Sequence, residues 1–132
     1  IRKAQDTVLK HLRRIKPIGG IAHAFNGSLQ QAHAFIDLGF KLGFGGVMTH
    51  PRAQNIRRLA QMLPLESIVL ETDAPDLSPH WAIGQRNSPA QLPAIAQTLA
   101  DLRGITLDEV ITQTGQNACA VLYPPPQQCS TL

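Results

Sequence analysis

Apolar residues return at helical spacing across the opening of the chain, at Ile1, Ala4, Val8, Leu12 and Ile15. That spacing predicts a helix over 1–15 with one apolar stripe. Pro17 and the Gly19-Gly20 pair end it. The run Gly20-Ile21-Ala22-His23-Ala24-Phe25 reads as a short buried strand, and Asn26-Gly27 as the turn after it. Ser28 followed by Gln31 forms a capping box, in which side chain and backbone at a helix start satisfy each other's free groups. The helix it opens turns Leu29, Ala32, Phe35 and Ile36 inward, and Gly39 suits the left-handed position past its end.

A second strand is expected over 40–44, followed by Gly45-Gly46, and a third helix over 52–63 with Ile56, Leu59, Ala60 and Leu63 facing inward. Pro64 stops that helix. Ser67-Ile68-Val69-Leu70-Glu71 is the clearest strand. It is apolar without alternation, as expected of a parallel strand covered on both faces. After a long loop over 72–87, Ser88-Pro89-Ala90-Gln91 offers a cap, a proline at the first helical position and a glutamine to close a second box. Leu92, Ile95, Ala96, Leu99 and Leu102 form the stripe of this helix, and Gly104 ends it. Thr106-Leu107-Asp108-Glu109 starts a last helix reaching about Ala120. The Pro-rich tail over 124–132 is expected to be loose, leaving 1–123 as one folded unit.

The order is therefore α-β-α-β-α-β-loop-α-α. Strands alternating with helices imply right-handed βαβ units and a parallel α/β sheet. The expected strands are few for a complete domain, since a closed barrel requires about eight. Composition agrees with a folded chain: 132 residues, 43% apolar and only 16% charged. The net charge of +3 suits an anionic substrate without arguing for nucleic acid by itself. Arg2, Lys3, Lys10, Arg13, Arg14 and Lys16 are most simply the solvated face of the first helix. Cys119 and Cys129 form no disulfide framework, so free thiols in the cytoplasm are the default. No apolar run approaches the roughly 20 residues of a membrane span. The chain opens with Ile1 inside a predicted helix, so a fragment of a longer protein is expected.

The chemistry-bearing residues share one edge. His23 lies near the C-terminal end of the first strand, while Glu71 and Asp73 end the third. In parallel α/β architectures that edge is where ligands bind. An imidazole and a carboxylate meeting there can hold a divalent metal. The alternatives are a strand histidine satisfied by a backbone hydrogen bond and an aspartate capping a turn before Pro75. Glu71 and Asp73, two residues apart, point to the same side of a strand. Two carboxylates in one small volume repel unless a cation or a proton lies between them.

Four segments, in this order, resemble those of TatD-type metal-dependent hydrolases: Gly20-Ile21-Ala22-His23-Ala24-Phe25-Asn26-Gly27-Ser28, Glu71-Thr72-Asp73-Ala74-Pro75, Arg86-Asn87-Ser88-Pro89, and Asn117-Ala118 followed by Val121-Leu122. The resemblance covers about residues 1–123. It implies a TIM barrel of which this chain supplies the C-terminal part, strands six to eight. It also implies a divalent metal (Mg, Mn or Zn) at the C-terminal face and hydrolysis of phosphodiester bonds, with DNA as substrate. His23 then matches the strand-six metal ligand. Asp73 matches the strand-eight aspartate that contacts metal and acts as general base, and Glu71 is a catalytic-site partner with a supporting or substrate-side role. The family's upstream His-x-His, mid-barrel glutamate and strand-five histidine have no matching positions here, so the chain alone is expected to be incomplete and inactive. A barrel hydrolase of small amides or esters is one alternative reading. The other is a non-catalytic half-barrel that associates through its open edges.

Substrate contacts are expected at Arg86, whose guanidinium matches phosphate geometry, at Ser28 in the turn before a helix N-terminus, and at His50 after the second strand. Ser28 equally fits an ordinary βα turn, and His50 with its neighbour Arg52 equally fits a surface loop. His80 and Trp81 border the long loop, with Trp81 more simply packing that loop down. His11 and His33 read as helix-surface residues, and Gly43-Phe44-Gly45-Gly46 as close packing at a strand end.

Overall fold

The computed structural model describes residues 4–15 and 17–123. The expected tail over 124–132, and with it Cys129, lies outside the described residues, as do Ile1, Arg2, Lys3 and Lys16. The elements run α1 (Gln5–Ile15), β1 (Gly20–Ala22), α2 (Leu29–Asp37), β2 (Phe40–Phe44), α3 (Gln54–Met62), β3 (Ile68–Leu70), α4 (Leu92–Arg103) and α5 (Leu107–Leu122). Short 3-10 turns occupy Gly46–Thr49, Leu65–Ser67, His80–Ala82 and Pro89–Gln91.

The strands form one parallel sheet in the order β1-β2-β3, with Ala22 opposite Leu42 and Leu42 opposite Ile68. Period-two alternation therefore puts Ala22, Leu42, Phe44 and Ile68 on one face. All four are buried in a core completed by Ala32 and Phe35 of α2, Leu59 and Ala60 of α3, Ile95 and Leu99 of α4 and Val110 of α5. Phe35 meets Phe25 and Phe40 edge-on, each with ring centroids 5.8 Å apart. Such pairs add about 1 kcal/mol beyond area burial. The opposite face carries Ile21, Lys41, Gly43 and Val69, and it continues past the strand ends toward the residues of the site.

Capping boxes form at Ser28–Gln31 and Thr106–Glu109, and Gly104 takes the left-handed C-cap of α4 at φ 67°. The third expected box does not form. Ser88 Oγ accepts from Ala90 N, while Gln91 Oε1 accepts from Trp81 Nε1 at 2.8 Å, so the indole takes the group that would have closed the box. The first strand also stops earlier than the expected 20–25. Ala24 turns to φ 47° because its N–H donates to Glu71 Oε1 and the next N–H, of Phe25, donates to Gly43 O. In α1 the inward stripe is Gln5, Val8, Leu9 and Leu12, whereas Ile15 is 73% exposed. Buried Gln5 donates to Asn26 O, which fixes the rotation of the helix.

Two side chains staple helices to the sheet. Asn117 of α5 is buried and donates to both Leu65 O (2.8 Å) and Ile68 O (2.7 Å), holding the entry to β3. Arg103 donates to Ala60 O (2.8 Å) and Leu63 O (2.7 Å), satisfying carbonyls left free at the end of α3. Replacing Asn117 by Leu keeps the volume but strands two carbonyls in the core. The expected cost is about 2 kcal/mol of unfolding free energy, read as a lower urea midpoint at unchanged slope.

Candidate metal centre

β1 and β3 end at the same edge of the sheet, and the residues just past their ends build the site. His23 follows Ala22 directly, and Glu71 follows Leu70. Glu71 still belongs to the ladder, its N–H donating to Phe44 O at 3.0 Å. Its side chain lies across β2, over Gly43, where any Cβ would overlap the carboxylate. Gly45 serves likewise: a Cβ there would sit 2.8 Å from Glu71 O and 3.4 Å from Asp73 Oδ2. The close packing expected of this glycine-rich stretch is thus packing against the two acidic residues.

Asp73 leaves the extended conformation, with φ 57°, and its carbonyl accepts from Asp76 N at 2.9 Å. Aspartate tolerates the left-handed region better than most residues, though still at a cost. The turn swings its carboxylate back to Glu71 and His23. His23 Nε2 touches Asp73 Oδ1 and lies 3.7 Å from Glu71 Oε2. One donor atom from each of the three residues falls within 4.8 Å of the others. The carboxylates are nearly enclosed, at 13% and 7% exposure for the Glu71 and Asp73 side chains, while His23 is 67% exposed.

The electrostatics of this cluster are unfavourable without a cation. Burial pushes the Glu71 carboxyl up to about 7, helped by the negative charge of Asp73 and opposed by the Ala24 N–H and by His23. Asp73 Oδ1 is buried and accepts no hydrogen bond, although His23 Nε2 lies against it. A nitrogen and carboxylate oxygens turned to one point, with a buried oxygen left unmatched, suit a divalent cation. His23 and Asp73 would hold it, with Glu71 alongside.

The other expected contacts are dispersed. Ser28 Oγ accepts from Gln31 N and its N–H donates to Gln31 Oε1, so the cap engages both groups. His50 Nε2 pairs with Ser78 O at 2.9 Å and its ring meets that of His80 edge-on at 5.5 Å, which binds the long loop to the turn after β2. Arg86 and Arg52 are exposed on their loops, and Trp81 is half exposed. His11 and His33 are exposed on α1 and α2. Two residues that tie down the turns flanking the site carry no signal of their own in the sequence. Asn55 donates to Asn26 Oδ1 and Gly27 O, and buried Asn87 donates to Thr72 O. Asn87 was visible only as part of the Arg-Asn-x-Pro segment.

A parallel βα array with an imidazole and paired carboxylates at the C-terminal strand edge is suited to holding a divalent metal where such folds bind ligands. The model of the family "TatD related DNase" matches residues 1–123, and the chain belongs to that family. A relative from Escherichia coli K12, the uncharacterized metal-dependent hydrolase YjjV, is 44% identical over 125 residues, 94% of this chain and 48% of its own length. The crystal structure of YjjV superposes with a TM-score of 0.86 at 40% identity, covering 95% of this chain and 48% of that one. A protein of Erwinia amylovora named 3'-5' ssDNA/RNA exonuclease TatD is 35% identical over 106 residues, 76% of this chain and 41% of its own length. The sheet is accordingly a part of a TIM barrel, and the chain spans about half the length of the curated relatives it matches.

Glu71 makes the metal-free protein sensitive to pH. Its folded value of about 7 lies above its ordinary 4.5, so between those values the folded state holds a proton that the unfolded chain releases. Stability from this group is full below 4.5 and is lost as pH rises through 7. Thermal unfolding followed across this window is expected to show that decline. Glu71→Gln should flatten it, and a divalent cation should restore stability to the wild-type chain on the alkaline side.

Proposed function

We propose that this chain is the C-terminal part of a divalent-metal-dependent hydrolase that cleaves phosphodiester bonds in DNA. The observation that carries the reading is the convergence of His23, Glu71 and Asp73 within 4.8 Å at the strand edge where barrel enzymes bind ligands. The Erwinia relative's name, with exonuclease in it, supports the substrate class. A bound divalent cation would neutralise phosphate charge and acidify water. Asp73 accepts the proton of the attacking water. Glu71 holds the Ala24 N–H through Oε1, and so keeps the turn carrying His23 in place. Arg86, exposed on its loop, is the proposed phosphate contact, whereas His50 and Ser28 would contribute only by exchanging their present partners, Ser78 O and Gln31.

Two proposed ligands, His23 and Asp73, with Glu71 alongside, on a chain that spans 48% of its relative support a centre completed by residues outside this chain. Among the described residues β1 and β3 are the edge strands, where such a complement would join the sheet. The 132-residue chain with Mn2+ or Zn2+ is therefore expected to hydrolyse single-stranded DNA no faster than a protein-free blank, and robust turnover by it alone would contradict incompleteness. In the protein carrying the whole barrel, Asp73→Asn should lower turnover of single-stranded DNA by at least about a hundredfold while the circular dichroism spectrum is retained. Near-normal turnover would remove Asp73 from the mechanism. Preference for a panel of small amides and esters over DNA would replace the substrate assignment.

A further inference from the structure

Every polar group of the Asn87 side chain is engaged by nearby backbone. Its Nδ2 donates to Thr72 O at 2.5 Å and to Asp76 O at 2.7 Å, while Oδ1 accepts from Ser88 N at 2.9 Å. Its own N–H donates to Pro75 O at 3.2 Å. The residue is 1% exposed. Three of these four bonds bracket residues 72–76, the segment that contains Asp73. Inside the bracket, Asp76 N donates to Asp73 O and Ala74 N to Thr72 Oγ1.

Asp73 needs such support. At φ 57° it occupies a region that a non-glycine residue keeps only where its surroundings over-determine it. Strand pairing does not reach it, because the pairing of β3 ends at Leu70 and the last ladder bond comes from Glu71 N. The rest of the long loop is tied down separately: Ser78 Oγ to Gln85 O, His80 N to Thr49 Oγ1, and Trp81 Nε1 to Gln91 Oε1. Asn87 thus closes the neck of the loop, with the carboxylate turn on one side and the exposed lobe 77–86 on the other.

We infer that Asn87 is a positioning residue that fixes the Asp73 carboxylate at the cation-binding point. The inference rests on the metal-centre reading and deepens it, since supporting partners of metal ligands typically set affinity by about 10- to 100-fold. A residue that merely closes the loop would affect folding stability without changing the metal affinity of the folded protein.

The test is made in the protein carrying the whole barrel and compares wild type with Asn87→Leu, which keeps volume and removes donors and acceptor, and with Trp81→Ala, which removes the indole bond to Gln91. Each is titrated with Mn2+ by calorimetry and followed by amide hydrogen exchange. In Asn87→Leu, Mn2+ affinity is expected to fall at least about tenfold. The Ala74 and Asp76 amides should exchange at least about tenfold faster while those of Val69 and Leu70 hold their rates. Trp81→Ala should leave affinity within about twofold of wild type. Asn87→Gln keeps the amide on a longer arm and should give an intermediate loss; it carries the test if Asn87→Leu does not fold. Unchanged affinity in the folded Asn87 variants, or an equal loss in Trp81→Ala, would overturn the inference. Absence of saturable Mn2+ binding by the wild-type protein carrying the whole barrel would sink the metal-centre reading instead. The bracket is then decided by exchange alone, with unchanged rates at Ala74 and Asp76 overturning it.

Discussion

Two carboxylates held side by side under the edge of a sheet cost free energy unless positive charge or a proton is shared between them. Glu71 and Asp73 are in that position, and much of the surrounding structure exists to keep them there. Gly43 leaves room for the Glu71 carboxylate, and Gly45 leaves room for the Glu71 carbonyl. The Ala24 N–H holds Glu71 from the neighbouring strand end, and Asn87 ties the backbone on either side of Asp73. His23 is brought against both acids by the turn that follows β1. A fold under selection for stability alone would have little reason to bury an unmatched carboxylate oxygen; a fold that binds a cation requires one.

The core serves this edge rather than competing with it. Helices cover one face of the sheet with Leu42, Phe44 and Ile68 beneath them, and the strands are thereby fixed in register. Register decides function here, because it sets Gly43 beside Val69 and so lays Glu71, the next residue on that face, across β2. The side-chain staples work at the ends of elements. Arg103 completes the end of α3, and Asn117 secures the approach to β3 at Leu65 and at Ile68, the first residue of the strand that leads to the acids. Rigidity at the strand ends is what allows irregular backbone just beyond them to bring His23, Glu71 and Asp73 within 4.8 Å of one another.

The family relationship and this geometry bear on different questions. Membership in the TatD-related family identifies the type of barrel and the type of centre. The coordinates add how the described residues divide the labour: an exposed imidazole, two nearly enclosed carboxylates, and a buried amide beneath them. The exposed His23 is the member of the cluster most open to solvent and to groups outside this chain, whereas the acids are set by their own packing.

The order of helices and strands, the parallel sheet and the pairing of His23 with Asp73 were legible in the sequence, because periodicity, capping boxes and the ordered motifs are local signals. Even the shared side of Glu71 and Asp73 followed from their spacing, although the route differs: Asp73 reaches it through a left-handed turn and not along a strand. What the sequence could not determine was anything set by partners distant along the chain. The first strand ends at Ala22 because Glu71 takes the Ala24 N–H, 47 residues away. Gln91 abandons its cap for Trp81, and α1 rotates to bury Leu9 and Gln5 in place of Ile15. Asn87 in sequence is one amide in a loop; only the tertiary structure places it under the metal centre. The physical reason is the same in each case: hydrophobic period and capping are decided by neighbours a few residues apart, whereas an unsatisfied buried donor or acceptor takes whichever partner the packed chain brings within reach.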